Sequence, residues 1–204
     1  MMYQMSPTKG NLIASKHSRE LAENGFELMD KKRNILIREI MAQIDKAKAL
    51  QGRIGETFSR AFFSLKMATM SMGDCSRIAE SVPVDDSLAV HYRSVMGVEI
   101  PTLAASPVST DTLPYGFSDT TSSLDDAYIK FNELKDLVRE LAETENTIYR
   151  LAYSIKKTQK RANALKNIVI PGLDADIARI SGELEEKERE EFVRLKVIKA
   201  RKNK

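Results

Sequence analysis

The chain has 204 residues, of which 30% are charged and 6% are aromatic, and it contains no tryptophan. This composition excludes a thick hydrophobic core, but it suits a narrow seam between helices, which needs only one apolar stripe on each helix. The formal net charge of +3, from 32 basic and 29 acidic residues, gives no indication of nucleic-acid binding.

The N-terminal segment, residues 6–73, is predicted to form one long helix. Ser6 can cap it and Pro7 suits its first position, and no other proline precedes Gly73 and Asp74, which end the pattern. Apolar residues recur in alternating steps of four and three, as in a coiled-coil seam. The predicted seam comprises Ile40, Ile44, Ala47, Gln51, Ile54, Phe58, Ala61, Leu65, Ala68 and Met72.

The middle segment, residues 74–121, has a different composition. It contains four of the six prolines, and alternating side chains around Tyr92 predict a small β-hairpin or two short strands within residues 90–117. The stretch Thr102–Thr112, which includes Pro107, is interpreted as the hairpin loop. We expect this region to face a partner.

The C-terminal segment, residues 122–202, is predicted to form a second long helix that begins at Ser122 and Ser123. Pro171 removes one backbone hydrogen bond, so a kink or a short break is expected at Ile170–Gly172. The apolar spacing resumes at Leu173, which favours a kink. The predicted seam comprises Phe131, Leu134, Val138, Leu141, Glu145, Ile148, Ala152, Ile155, Gln159 and Ala162.

The two matched seams predict an all-α fold, a long antiparallel two-helix coiled coil with a small irregular or β-hairpin middle region. In the predicted register, the numbers of facing residues add to about 197. Polar seam residues reduce stability but can fix register, which is the role predicted for Gln51, Glu145 and Gln159.

This register places basic residues of both helices at one level. Charge runs are usually a solvated helix face, and that interpretation stays open. The alternative is a collar that faces acidic groups of a surrounding partner, because the mutual repulsion of these cations is otherwise unexplained. The candidate partner-contact residues are Lys31, Lys32, Arg33, Arg38, Lys156, Lys157, Lys160 and Arg161.

No pattern for catalysis or cofactor binding is present in the sequence. Gly52 and Gly55 lie in a helical stretch without a phosphate-loop ending, and His17 and His91 are alone in their segments, with no second histidine or cysteine three or four residues away. The single cysteine, Cys75, excludes an intramolecular disulfide. We therefore expect no intrinsic active site, no cofactor and no metal.

The chain is also expected to lack a membrane-spanning segment. No apolar run approaches eighteen residues, so no direct membrane insertion is predicted. The basic C-terminal tail can be a solubilising end, can insert into a socket, or can touch anionic lipid.

Three segments, in order and spanning nearly the whole chain, resemble the D subunit of the V-type and archaeal A-type rotary ATPases. The first is SPTKGNLIASKHSRELAENGFELMDKKRNILIREI, the second is YRSVMGVEIP, and the third is SIKKTQKRANALKNIVIPGLDADIARISGELEEKEREEFVRLKVIK. Three ordered segments are far more specific than a coiled-coil pattern.

The resemblance implies that the chain is a central rotor shaft. The paired terminal helices would sit inside the ring of alternating catalytic and regulatory subunits. The middle region would bind the small F subunit and seat on the collar subunit above the proton- or sodium-carrying membrane ring. The resemblance also implies a cytoplasmic location, peripheral to the membrane through the complex.

A shaft that turns in a bearing should have a polar and charged surface rather than a broadly apolar one. Two alternatives remain open at this point. One is a cytosolic coiled-coil adaptor unrelated to an ATPase, and the other is a membrane-surface protein that uses its basic tail. Copurification with ATPase subunits would discriminate against both.

Overall fold

The computed structural model describes residues 6–104, 113–116, 118 and 120–202. The chain is mostly helical, with a long N-terminal helix packed against the C-terminal helices and a small β-hairpin in the middle of the sequence, so the predicted fold class is confirmed. The elements are α1 (Lys9–Met72), α2 (Ser76–Ala79), β1 (Ala89–Val95), β2 (Val98–Ala104), α3 (Ser122–Ala164), a π-helical turn (Leu165–Val169) and α4 (Ile170–Lys202).

Contacts within the chain define two compact units. The first combines the N-terminal part of α1, up to Ile35, with the chain from Ile155 onward, and the second comprises Leu36–Ser154. In the first unit the helices run antiparallel, because Lys9 pairs with Glu188 at 2.8 Å and Arg19 pairs with Asp174 at 2.5 Å. The first of these pairs fits the predicted register, and the second departs from it by a few residues.

The second unit repeats the antiparallel arrangement. The Ser64 hydroxyl donates to Asp126 at 2.8 Å, and the Lys46 ammonium lies 2.8 Å from the Glu140 carboxylate. In both pairs the two residue numbers add to less than the predicted register requires.

The seam keeps the predicted alternation of three and four but is rotated to one side of the predicted stripe. On α1 in the second unit the buried residues are Leu36, Ala47, Leu50, Thr57, Ala61, Ser64 and Ala68, and on α3 they include Leu134, Leu137, Thr144, Thr147 and Leu151. Leu50, Thr57 and Ser64 thus replace the predicted Gln51, Phe58 and Leu65. The prediction that Gln51 and Glu145 occupy the seam is wrong, because both are exposed.

Small hydroxyl residues can fill the seam because their polar atoms find partners in their own helix or on the facing one. The Thr144 hydroxyl donates to the Glu140 carbonyl at 2.8 Å, whereas the Ser64 hydroxyl donates across the seam to Asp126 and accepts from the Lys130 ammonium at 2.9 Å. A side chain that bonds to the preceding turn presents mainly its apolar atoms to the neighbouring helix. A hydrophobicity pattern that counts serine and threonine as polar therefore places the stripe one residue away.

Both ends of α1 have local causes. The Asn11 backbone N–H donates to the Thr8 hydroxyl at 3.2 Å, so Thr8 caps the helix and the start lies later than the predicted Ser6. At the other end, Gly73 has a φ of 80° and donates its N–H to the Thr69 carbonyl at 2.9 Å. Glycine adopts this left-handed conformation without steric cost, which ends the helix.

The β-hairpin is present, but its loop is shorter than predicted. β1 and β2 pair antiparallel with Val95 opposite Val98, and the turn residues Met96 and Gly97 have φ values of 51° and 73°. Positive φ at both central residues is typical of the two-residue turn that joins hairpin strands. The loop predicted at Thr102–Thr112 is therefore wrong for residues 102–104, which belong to β2, while residues 105–112 lie outside the described residues.

The chain around Pro171 is helical rather than broken. The irregularity precedes the proline, in the π-helical turn Leu165–Val169, where the Ile170 N–H donates to the Leu165 carbonyl. This bond spans five residues instead of four, and α4 starts at Ile170.

Candidate partner-binding surfaces

Arg33 connects the two helices of the first unit. Its guanidinium forms an ion pair with Asp30 at 2.5 Å and donates to the Gln159 side-chain oxygen at 2.7 Å. Gln159 in turn donates to Asn163 at 2.8 Å. Gln159 is therefore a half-buried residue beside the seam, where Thr158 is the buried residue, and Arg33 is largely occupied by contacts within the chain.

The other predicted collar residues of the first unit remain available. Lys31 lies 3.7 Å from Glu27, whereas five cations form no ion pair with any carboxylate in the described part of the chain. Four of these five are exposed, and Lys32 is half-buried. We call this set the basic cluster: Lys32, Lys156, Lys157, Lys160 and Arg161.

Arg38 belongs to the second unit. It is exposed there, and it too lacks an ion-pair partner among the residues that the structure describes. The structure thus leaves most of the predicted cations facing solvent, where their charge is available to an acidic surface.

The last part of α4 carries an unexpected concentration of exposed apolar residues, which we call the apolar tip. The exposed fractions of Phe192, Val193, Leu195, Val197 and Ile198 range from 47% to 65%. Successive residues of an α-helix are turned by about 100°, so these five side chains point in all directions around the axis. Arg194 and Lys196 are exposed between them, so this surface is mixed, and the expectation of a polar and charged surface holds only in part for this segment.

An aromatic patch is exposed in the second unit. The rings of Phe58 and Phe62 on α1 are 4.3 Å apart, and the Phe62 ring meets Phe131 of α3 edge-on at 5.3 Å. Phe58 and Phe62 are nevertheless 48% and 45% exposed. The rings stabilise one another while presenting a continuous apolar surface to solvent.

The hairpin is fixed to α3 along one edge. The Leu103 N–H donates to the Glu143 carboxylate at 2.9 Å, and the Arg150 guanidinium donates to the Glu99 carbonyl at 3.1 Å. Pro101 lies between these residues on the same edge, where its missing N–H interrupts no strand pairing. β1 is left exposed from Ala89 to Ser94.

The chain leading into the hairpin is held by Asp85. Its carboxylate accepts hydrogen bonds from Arg139 and, at 2.9 Å, from Lys135, and it accepts the Ser87 N–H at 3.0 Å. Ser87 and Lys135 together hold the pKa of Asp85 well below its ordinary value. The charged carboxylate is therefore the form that fixes this segment to α3.

Removing the charge of Asp85 should loosen the hairpin at neutral pH. Because the folded-state pKa is lowered, the stabilisation is present above the ordinary value of 3.8 and is lost as the pH falls through the lowered value. We expect Asp85→Asn to speed amide hydrogen exchange in β2 at pH 7 by roughly tenfold. Asp86→Asn is the matched control, because Asp86 is exposed and has no ion pair with a described residue. Equal exchange in Asp85→Asn and the unaltered chain would contradict the assignment.

Two further properties concern the described residues alone. No helix among them is both long and apolar enough to cross a membrane. No group of three or more histidine, cysteine, aspartate or glutamate side chains in these ranges is arranged to hold a metal ion.

Comparison with known proteins identifies the family. The family model described as the ATP synthase D subunit matches residues 11–200. The V-type ATP synthase D subunit of Thermotoga neapolitana is 41% identical over 197 residues, covering 96% of this chain and 97% of that protein. The A-type ATP synthase D subunit of Thermococcus sibiricus is 36% identical over 97% of this chain and 94% of its own length.

A third relative extends the similarity to another organism. The A-type ATP synthase D subunit of Methanosphaera stadtmanae is 35% identical, covering 96% of this chain and 93% of its own length. With the hairpin and nearly all of α1 and α4 within the matched range, the chain belongs to the D-subunit family of the V/A-type ATP synthases.

Proposed function

We propose that this chain is the central-stalk rotor subunit of a V/A-type rotary ATPase, and that it transmits torque between the nucleotide-binding ring and the ion-carrying membrane ring. Family membership supports a place in the complex. The observation that carries the rotor assignment is the apolar tip, whose side chains are exposed on every side of the helix.

Large apolar side chains exposed on all sides of a helix are normally covered by other protein, and here the cations Arg194 and Lys196 lie between them. Burial of one large apolar side chain contributes roughly 1.5–3 kcal/mol, so five exposed ones leave a substantial free energy to be gained on enclosure. A one-sided partner would cover only part of this surface. A ring of subunits that encloses the end of α4 covers all of it and permits rotation about the helix axis.

The basic cluster supplies a second contact with the ring in this proposal. Its cations have no carboxylate partners in the described chain, and they lie on one part of α3 and α1 rather than all round. Acidic loops of the catalytic and regulatory subunits would therefore meet the positive charge one after another as the shaft turns. Such angle-dependent attraction lets each catalytic site sense a different orientation of the rotor.

The second unit would supply the contacts toward the membrane. The exposed strand β1 and the aromatic patch are the surfaces proposed for the small F subunit and for the collar subunit above the membrane ring. The carboxylate contacts of Asp85 and Glu143 would hold the hairpin in place while these partners bind.

The assignment is tested by native mass spectrometry of complexes recovered from the host through a tag on this chain. We expect one copy of the chain with one hexameric nucleotide-binding ring and one small partner. Recovery of the chain alone, or as a homodimer without ATPase subunits, would overturn the rotor assignment and leave the coiled-coil adaptor.

A further inference from the structure

The C-terminal seam of the first unit contains one residue more than a coiled coil requires. From Ile155 to Leu184 the inward-facing residues follow steps of three and four, except for a single step of five between Leu165 and Ile170. Ile168, inside this step, is 69% exposed. The full series is Ile155, Thr158, Ala162, Leu165, Ile170, Leu173, Ile177, Ile180 and Leu184.

The opposite helix has no matching insertion. On α1, Ser15 and Ala22 are buried, and Met29 is half-buried, so the partner seam advances by seven residues at a time through this region. The extra residue must therefore be accommodated entirely within the chain between α3 and α4.

The π-helical turn is where it is accommodated. In a regular α-helix, Ile170 would lie about 140° around the axis from Leu165, which would turn it away from α1. The hydrogen bond from the Ile170 N–H to the Leu165 carbonyl closes a wider turn of five residues. The wider turn brings Ile170 back to the inward side, and the seam of α4 continues from there.

The surroundings suit a wide turn at this position. Pro171 cannot donate a backbone hydrogen bond and would crowd the preceding turn of a regular helix. On the facing helix, a Cβ at Gly25 would lie 3.8 Å from the Leu165 Cδ1 atom, so the two helices approach closely here. Lys166 lies 5.8 Å from the centre of the Phe26 ring.

We propose that the turn Leu165–Val169 is a one-residue phase correction that sets the angle of α4, and hence of the apolar tip, relative to the basic cluster on α3. Without the correction, everything beyond the turn would be rotated by about 100° relative to α1. Pro171 accompanies the correction and is not its cause. That a fixed angle matters for torque transmission rests on the proposed function. The phase correction itself does not depend on that function.

The proposal predicts that one residue can be removed from the turn but not from the regular helix beyond it. The test compares two full-length variants that both carry Pro171→Ala, one lacking Ile168 and the other lacking Ala178, which is exposed in α4. Both also carry Cys75→Ser, with cysteines introduced at positions 9 and 188, whose native side chains are 2.8 Å apart. A short bismaleimide then reports whether α4 keeps its phase against α1.

We expect the variant without Ile168 to cross-link as efficiently as the full-length parent and to keep its Tm within about 5 °C, because its turn closes as a regular α-helix. The variant without Ala178 should lose at least fivefold in cross-linking yield, since Ile180 and Leu184 no longer face α1. Equal losses in both deletions would overturn the proposal.

A third variant tests whether the five-residue turn is caused by the proline or by the spacing of the seam. Pro171→Ala without a deletion should retain the five-residue turn, seen in its crystal structure or in the backbone chemical shifts of residues 165–170. Conversion of that variant to a regular α-helix would show that the proline causes the turn and would also overturn the proposal. None of these measurements requires ATPase partners, so their outcome is separate from that of the rotor assignment.

Discussion

Changing Lys156, Lys157, Lys160 and Arg161 together to glutamate should reduce ATP-driven rotation of the assembled complex by at least tenfold while leaving the chain folded. All four side chains are exposed and lack ion pairs among the described residues, so their reversal removes no stabilising contact within the chain. Surface changes of this kind alter stability by about 0.5 kcal/mol or less. Rotation is measured on single complexes, and helicity by circular dichroism.

The magnitude follows from the proposed contacts with the ring. Exposed ion pairs contribute roughly 0.2–1 kcal/mol each, and reversal replaces attraction by repulsion at four positions. A tenfold loss needs only about 1.4 kcal/mol. The effect should be largest at low salt, because mobile ions screen exposed charges.

The matched control reverses four other exposed cations, Lys48, Arg53, Lys66 and Lys187, which likewise have no ion pair within the described ranges. It changes the net charge by the same amount without touching the basic cluster. Normal torque from the cluster variant, or an equal loss in the control, would show that the cluster is an ordinary solvated surface.

The second large effect is expected at the apolar tip. Changing Phe192, Leu195 and Ile198 to serine should reduce incorporation of the chain into the complex by more than tenfold. These side chains are 60%, 65% and 60% exposed, so the chain alone gains little stability from them. Within an enclosing ring, each would contribute roughly 1.5–3 kcal/mol, and the three losses together exceed the 1.4 kcal/mol that corresponds to tenfold.

Incorporation is measured as the amount of chain recovered with a tagged ring subunit, alongside the Tm of the free chain. The control changes Glu186, Arg189 and Lys199 to serine, three exposed polar residues in the same part of α4. Wild-type incorporation of the triple apolar variant would mean that the tip is not enclosed. A large fall in the Tm of the free chain would instead assign these residues to folding.

Much of the architecture could be predicted because its causes are local. Proline-free stretches with an apolar rhythm predict α1 and α3, and Gly73 ends α1 through its positive φ. Alternation around Tyr92 predicts the hairpin. The hairpin turn was placed wrongly because its signal is a single glycine, Gly97, preceded by a methionine that rarely takes a positive φ.

The phase of the seam was harder to predict because hydrophobicity is an incomplete guide to burial in a two-helix packing. Thr57, Ser64 and Thr144 are buried, whereas the more hydrophobic Phe58 and Val138 are about half exposed. A thin seam favours small side chains that bring the helices close, and their hydroxyls find partners in their own helix, as Thr144 does, or across the seam, as Ser64 does. Large apolar residues are left at its flanks.

The candidate site, too, could be predicted only in part from the sequence. The sequence identifies the basic residues on both helices and predicts that they lie at one level. The hydrogen bond from Arg33 to Gln159 places this part of α1 beside the corresponding part of α3. The sequence does not distinguish Arg33, which Asp30 and Gln159 occupy, from Lys156 or Arg161, which have no such partners among the described residues. That distinction depends on which side chains reach across the seam.

The sequence by itself determined the helical character of the chain, the presence of a hairpin in its middle segment and the family, because local propensity, spacing and ordered motifs are properties of the chain itself. Only the tertiary structure decided which side of each helix is buried, which of the described cations stay unpaired and that the five-residue turn before Pro171 restores the seam of α4. Those features depend on the rotation of one helix against another, and a shift of a single residue turns a helix by about 100°.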